Sequence, residues 1–291
     1  MTSESGVAAV ALRHRFCLRA LEVVIESSSP AIHRAASCLV NHGDDSDAIE
    51  RTVRFRLSEQ EAGRVDVVED DYGFRAPSLP AALALVHRRL GNHLHSVYER
   101  YTVLHAGAVT IDGRLIVVAG HRGAGKTTLL IRLALDGATF HGDEYVAAGR
   151  DGVARTLPRR LHVKPGTLIC LPEIEATCRA YPMLVLDGGV LFYPLDLVDL
   201  GISWRGVSAR PSAIVHLVPA FDEAPAVTPI AQIESVRQLM REAQGTDLDF
   251  GRQAADITGV VRGVPCYEVR VGDLVATAEE IRRIATTVPC A

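Results

Sequence analysis

Gly120-His121-Arg122-Gly123-Ala124-Gly125-Lys126-Thr127-Thr128 is the stretch that decides how the 291 residues of this chain are read. It has the spacing G-x-x-x-x-G-K-[ST] of a phosphate-binding loop, or P-loop. Glycines at 120, 123 and 125 let the backbone fold tightly, so that successive N–H groups point at one anion. The segment before it, RLIVVAG, is apolar and β-branched, as a buried strand is. The segment after it, KTTLLIRLALDG, has helical spacing and stops at Gly137. A helix beginning there aims its positive end at the same anion. The nine residues from Gly120 to Thr128 are therefore the expected cofactor-binding set, with the side chains of His121 and Arg122 facing outward. Lys126 is expected to reach the β- and γ-phosphates and the Thr127 hydroxyl to ligate Mg²⁺, which makes ATP and Mg²⁺ the implied cofactors. Lys126 and Lys164 are the two lysines of a chain with 31 basic residues, the other 29 being Arg. One of these rare lysines stands where the motif needs a flexible point charge.

Working outward, composition narrows the partners. Hydrophobic residues make up 48% of the chain, enough for one large domain or two modest ones. A net charge of −4 gives no global pull toward nucleic acid or an anionic membrane, and neither partner is expected. Apolar runs are short and broken by Arg, Asp or Gly, and the N-terminus places Arg after its short apolar stretch, a poor signal peptide. A cytoplasmic location is the expectation. The six cysteines form no C-x-x-C pair, so they read as thiols of a reducing compartment rather than a zinc site.

The N-terminal part alternates strand and helix signals. Residues 17–26 read as a strand; Ser29 and Pro30 start a short helix; residues 51–59 and 64–70 alternate as strands do. Residues 79–98 read as a helix with Leu83, Val86, Leu90 and Leu94 on one face. Residues 1–100 are thus expected to form an α+β domain, and residues 101–291 the P-loop domain. From Tyr101 two strands join at an Asp112-Gly113 turn, and the loop and helix follow. Further short strands turn at Arg150-Asp151-Gly152, and PMLVLDGGVLFYPLD reads as a hairpin turning at Asp187-Gly188-Gly189. SAIVHLVPA and CYEVRV read as strands; residues 233–243, 249–260 and 274–286 read as helices. Alternating strands and helices around a glycine-rich turn predict an α/β core.

A P-loop alone serves ATPases, GTPases and kinases alike, and no guanine-reading N-K-x-D follows. The neighbourhood is more particular. A His-containing strand, LHAGAV, leads through the hairpin to the P-loop; TFHGDEYV then carries the acidic pair Asp143-Glu144, and LPRRLHVKPGT comes next. This order resembles the HPr kinase/phosphorylase family from about residue 102 to residue 284. The N-terminal region resembles the variable front domain of relatives in peptide-modification pathways, lasso-peptide kinases among them. The resemblance implies an HPr-kinase-like P-loop core and ATP-dependent phosphoryl transfer. It puts Asp143 at a strand end near the γ-phosphate, either accepting the proton of an acceptor hydroxyl or holding Mg²⁺ with Thr127. Glu144 becomes a metal-side or structural partner. His105 falls where the family has a His near the active site, which makes it a catalytic candidate that hydrogen-bonds the acceptor or the transferring phosphate, although a His in an apolar strand is as readily a packed core residue. Two departures matter: the second acid is Glu rather than Asp, and the family's later glycine- and Arg-rich signature is missing. Neither HPr as substrate nor phosphorylase activity carries over.

Two sets of residues keep alternatives. Asp187, in MLVLD, has the form of a Walker B strand end, yet the glycines after it favour a hairpin turn. Arg159, Arg160 and Lys164 either neutralise phosphate and substrate charge or are solvated surface. The expected function is transfer of the γ-phosphoryl of ATP to a hydroxyl, of Ser or Thr in a peptide or small protein, by a chain compatible with a homo-oligomer. The alternatives are a kinase of a small free hydroxyl metabolite and a non-catalytic nucleotide-binding regulator.

Overall fold

In RTVRFRLSE the residues that become buried are Val53, Phe55 and Leu57, every second position, so this segment can only be a strand with one face on a core. The computed structural model describes residues 11–42, 48–157, 159–186, 189–244 and 249–289. It begins with β1 (Leu12–Leu18), β2 (Leu21–Ser27), α1 (Pro30–Ala36), β3 (Arg51–Glu59), β4 (Val65–Glu69), β5 (Tyr72–Ala76) and α2 (Leu79–Val97). Ser29 caps α1 and Ser78 caps α2, each side-chain oxygen accepting a backbone N–H three residues on at 3.4 Å. The five strands form one sheet in chain order. Residues 17–26 are not the single strand their composition predicts: the chain reverses at Arg19-Ala20, with Leu18 opposite Leu21 and Arg19 at φ 54°. Both arms are apolar and no glycine marks the turn, so no turn signal separates them.

The remainder comprises β6 (Thr102–Ile111), β7 (Arg114–Ala119), α3 (Lys126–Leu135), β8 (Thr139–Gly142), β9 (Tyr145–Ala148), β10 (Ala154–Thr156), β11 (Leu161–Val163), α4 (Pro165–Cys170), α5 (Glu175–Arg179), β12 (Leu184–Leu186) and β13 (Val190–Leu195). It ends with β14 (Ser208–Ala209), β15 (Ala213–Pro219), β16 (Ala226–Ile230), α6 (Gln232–Glu242), β17 (Ala243–Gln244), α7 (Phe250–Val261), β18 (Cys266–Val271) and α8 (Leu274–Thr287). Among the described residues a ten-stranded mixed sheet runs β14-β10-β9-β6-β7-β15-β18-β16, with β8 and β17 also pairing β6. β7, β15 and β18 are mutually parallel; β6 and β7 form the hairpin that turns at Asp112 and Gly113, both at positive φ.

Helices cover both faces of this sheet, so the fold is mixed α/β. Leu129, Leu130 and Leu133 of α3 and Ile281 and Ile284 of α8 bury one face with Val109, Ile116, Val118, Val215 and Val269. Leu239 of α6 and Ile257, Val260 and Val261 of α7 bury the other with Leu104, Val117 and Ile214. Double coverage explains why β6 and β7 are apolar almost without alternation. β12 and β13 form a hairpin with Leu186 opposite Val190; Asp187 and Gly188, at its tip in the sequence, lie outside the described residues. That hairpin sends Leu184 and Phe192 into the core of the N-terminal sheet, alongside Leu83, Val86, Leu90 and Leu94 of α2. Among the described residues no helix is long and apolar enough to cross a membrane.

One glycine sets how closely the layers approach. At Gly107 in β6 an added Cβ would strike Leu130 Cδ1 of α3 and stand 2.6 Å from the Gly142 carbonyl oxygen and 2.7 Å from Asp143 Cα. Backbone on one side and a packed leucine on the other cannot both yield. We expect Gly107→Ala to destabilise the protein by about 1–3 kcal/mol through overpacking. Gly73→Ala, with nothing within 4 Å, should change stability by less than about 0.5 kcal/mol. Urea unfolding midpoints of the two variants check the contrast.

Candidate active site around the glycine-rich loop

β7 delivers the chain to Gly120 at φ 151°, and Gly123 and Gly125 follow at φ 89° and 90° before α3 begins at Lys126. A side chain at 123 or 125 would be strained in that backbone, which accounts for glycine in the motif. His121 and Arg122 are exposed, as expected. Lys126 is buried and folds back over the loop, donating to the Gly120 carbonyl at 2.5 Å and the His121 carbonyl at 3.3 Å. Burial lowers its pKa to about 8, against the opposing pull of Glu242, Asp143 and Glu144.

Thr127 and Asp143 meet. The Thr127 hydroxyl donates to Asp143 Oδ2 at 2.8 Å, joining the first turn of α3 to the residue that follows β8. Asp143 is 5% exposed, and burial together with the neighbouring Glu144 carboxylate raises its pKa to about 6. Glu144 has the opposite outcome. Burial also raises it, but the Arg159 guanidinium, in charge and hydrogen bond, outweighs that and holds it below the usual carboxylate range. Glu144 thus faces Arg159 and, at 3.3 Å, His162 Nδ1, rather than Thr127. His105, on β6, lies with Nδ1 3.5 Å from Lys126 Nζ and 3.5 Å from Glu242 Oε2 at the end of α6. Burial, then the Lys126 charge, lowers its pKa to about 4, so the ring is neutral at pH 7.

These groups open on a cavity of about 420 Å³ lined by Arg122, Thr127, Asp143, Glu144, Arg159 and Lys164 among others. The basic run after β10 is therefore not solvated surface: Arg159 and Arg160 are both buried. Arg159 lies 4.7 Å over the Tyr145 ring as well as pairing with Glu144. Arg160 turns the other way and donates to the carbonyls of Val40 and Pro194, the latter at 3.0 Å.

The sequence reading passed over several lining residues. α2 contributes His87, Arg88 and Asn92 to the cavity, and the His87 and His162 rings hydrogen-bond to each other. Burial, and charges nearby, push both imidazoles well below their ordinary pKa. Two signals were present in the sequence. His87 interrupts the apolar face Leu83–Leu90, and Gly91 stands mid-helix, where glycine costs about 1 kcal/mol. A Cβ at Gly91 would stand 3.2 Å from Tyr145 Oη and 3.3 Å from Arg159 Nη1, so glycine there admits the site's arginine. Glu242 carried no such signal; it is the last residue of an amphipathic helix. Among the described residues no group of three or more His, Cys, Asp and Glu converges to hold a metal ion.

No protein-family model and no curated protein matches the chain. Among solved structures it is similar to the HPr(Ser) kinase/phosphatase from Coxiella burnetii, at 11% identity and a TM-score of 0.30, over 64% of this chain and 98% of that one. At that distance the likeness carries no argument about the site.

The raised pKa of Asp143 has a consequence for stability. Between its ordinary 3.8 and about 6 the folded protein retains a proton that the unfolded chain has lost. Stability from this group therefore falls as pH rises through that window, and the full penalty is present above it. Asparagine carries no charge to desolvate. We expect Asp143→Asn to melt at a higher temperature than wild type at pH 7.5, with the difference shrinking as pH falls from 6 toward 4; calorimetry across that range checks it.

Proposed function

We propose that this chain is an ATP-dependent phosphotransferase that moves the γ-phosphoryl group to a hydroxyl, of Ser or Thr in a peptide or small protein. The observation that carries the reading is the 2.8 Å hydrogen bond from Thr127 to Asp143. It joins the hydroxyl of the phosphate-binding motif to a carboxylate sixteen residues on, in one cavity with Arg122 and Lys164, and Lys126 lies just behind its His105 wall. Phosphoryl transfer needs this set: donors and cations around the phosphates, and one acid beside the acceptor oxygen.

Thr127 and Asp143 fit Mg²⁺. Both present hard oxygens, and Mg²⁺ in phosphate sites takes one or two protein oxygens and completes its shell with water and phosphate. When bound, the ion supplies neutralisation of phosphate charge. The backbone N–H groups of residues 120–128 cradle the phosphates, and Lys126 swings from its carbonyl contacts onto them. Asp143 orients the acceptor hydroxyl and receives its proton. This carboxylate is held ionised at neutral pH, as a base requires, by the charge of Mg²⁺ and of the cations around the phosphates. Glu144, held by Arg159 and His162, fixes the backbone of the acidic pair and stays out of the metal's ligand set. His105, neutral, spaces Lys126 from Glu242. The cytoplasm supplies ATP, and the reaction calls for no nucleic acid or membrane.

The convergent polar lining also supports a second reading, in which the acceptor is a small free hydroxyl compound. In both, the N-terminal region selects the acceptor, since α2 brings His87, Arg88 and Asn92 to the cavity.

Lys126→Ala is expected to abolish ATP binding in titration calorimetry. Asp143→Asn should keep ATP binding yet lower transfer of labelled γ-phosphate by about 100-fold, the scale of losing a general base; excess EDTA should stop transfer in the wild type. Asp187→Asn should do far less. The reverse ranking, with Asp187→Asn dead and Asp143→Asn active, would overturn the assignment. For selection, Asn92→Ala should raise the KM for the acceptor and leave the KM for ATP unchanged; a rise in the ATP value alone would contradict a role of α2 in acceptor choice.

A further inference from the structure

β7, β15 and β18 lie side by side and run parallel, so the loops after all three open on the same edge of the sheet. Ligands of parallel α/β sheets bind along that edge. Asp143 approaches the glycine-rich loop from the β6–β8 side. On the other side, where β15 and β18 end, Val271 and Phe221 stand beside the loop. The Phe221 ring edge lies 3.9 Å from the position a Cβ on Gly125 would take, with Val271 Cγ1 at 3.8 Å from the same point.

The ring is exposed while the backbone carrying it is fixed. Phe221 is 59% exposed. The Ala220 N–H donates to the Val271 carbonyl at 3.0 Å, and the Glu223 N–H closes a turn on the Ala220 carbonyl at 2.8 Å. Gly272 lies beneath this turn so closely that a Cβ there would strike the Glu223 carbonyl oxygen. Glu223 is also tied to Arg270 at 2.8 Å. A large apolar side chain held in water on an ordered turn, at the shoulder of a phosphate-binding loop, is a surface for a flat apolar face.

We infer that Phe221 is the platform on which the base of the bound nucleotide stacks. The inference rests on the nucleotide reading of the preceding subsection and extends it to the nucleoside end of the ligand. With its phosphates on residues 120–128, the nucleotide points its γ end toward Asp143 and its base toward Phe221. An aromatic face reads the base's face and not its hydrogen-bonding edge, so purine nucleotides gain from it alike.

The test compares the full chain with Phe221→Ala by titration calorimetry in Mg²⁺, using ATP, GTP and inorganic tripolyphosphate, which has phosphates but no base. Removing an exposed ring leaves no core cavity. The expected result is that wild type binds ATP and GTP more tightly than tripolyphosphate. Phe221→Ala should weaken both nucleotides by about tenfold, a moderate loss for one stacked base. It should leave tripolyphosphate unchanged, and Phe221→Tyr should bind as wild type does. Unchanged ATP affinity in Phe221→Ala, or equal loss of ATP and tripolyphosphate, overturns the platform while leaving the nucleotide reading standing. A wild type that binds neither ATP nor tripolyphosphate overturns the nucleotide reading itself.

Discussion

The site depends on a close approach at Gly107. β6 is the strand on which β7, β8, β9 and β17 all pair, and α3 packs directly over it. Only a residue without a Cβ lets the β6 backbone pass so near both Leu130 and the Gly142–Asp143 peptide. That approach brings the end of β8 under the first turn of α3, where the Thr127 hydroxyl finds Asp143 Oδ2. The contact between motif and acid is a consequence of main-chain packing, and the side chains only complete it.

Once adjacent, Asp143 and Glu144 cannot share one environment. A buried carboxylate and a half-buried one in sequence repel each other and both lose solvation. The fold separates their behaviour with a single buried cation: Arg159 pairs with Glu144 and keeps it ionised, while Asp143 is left with a hydroxyl donor and a raised pKa. Arg159 must itself be housed, and Glu144, the Tyr145 ring and the gap at Gly91 do that. The His87–His162 pair beside them is kept neutral chiefly by burial.

The N-terminal sheet is bound into this arrangement. α2 packs its apolar face on that sheet and turns His87, Arg88 and Asn92 toward the cavity. The β12–β13 hairpin shares its core through Leu184 and Phe192, and Phe192 also lines the cavity. Arg160 adds buried hydrogen bonds to Val40 and Pro194 on either side of the junction. A region without any motif of its own is thereby part of the wall of the site.

What the sequence determined by itself is local. The glycines at 120, 123 and 125, the strand before them and the helix after them follow from backbone sterics and periodicity, which act within a few residues. The same holds for the Asp112-Gly113 hairpin, the Ser-capped helices α1 and α2, and the alternation of β3. The reversal at Arg19-Ala20 escaped because positive φ at a non-glycine residue leaves no compositional mark. Asp143 was legible as a candidate, and as a neighbour of Thr127 about a shared ion, through the family resemblance and its place after the strand that follows the loop helix; the direct hydrogen bond from Thr127 and the pairing of Glu144 with Arg159 were not. Nor could the sequence tell that Arg159 and Arg160 are buried, that His87 meets His162 seventy-five positions away, or that Glu242 stands behind His105. Those pairings are set by which strands lie side by side and by how near a glycine lets them come. Burial and charge partnership are properties of the packed molecule, decided by tertiary structure alone.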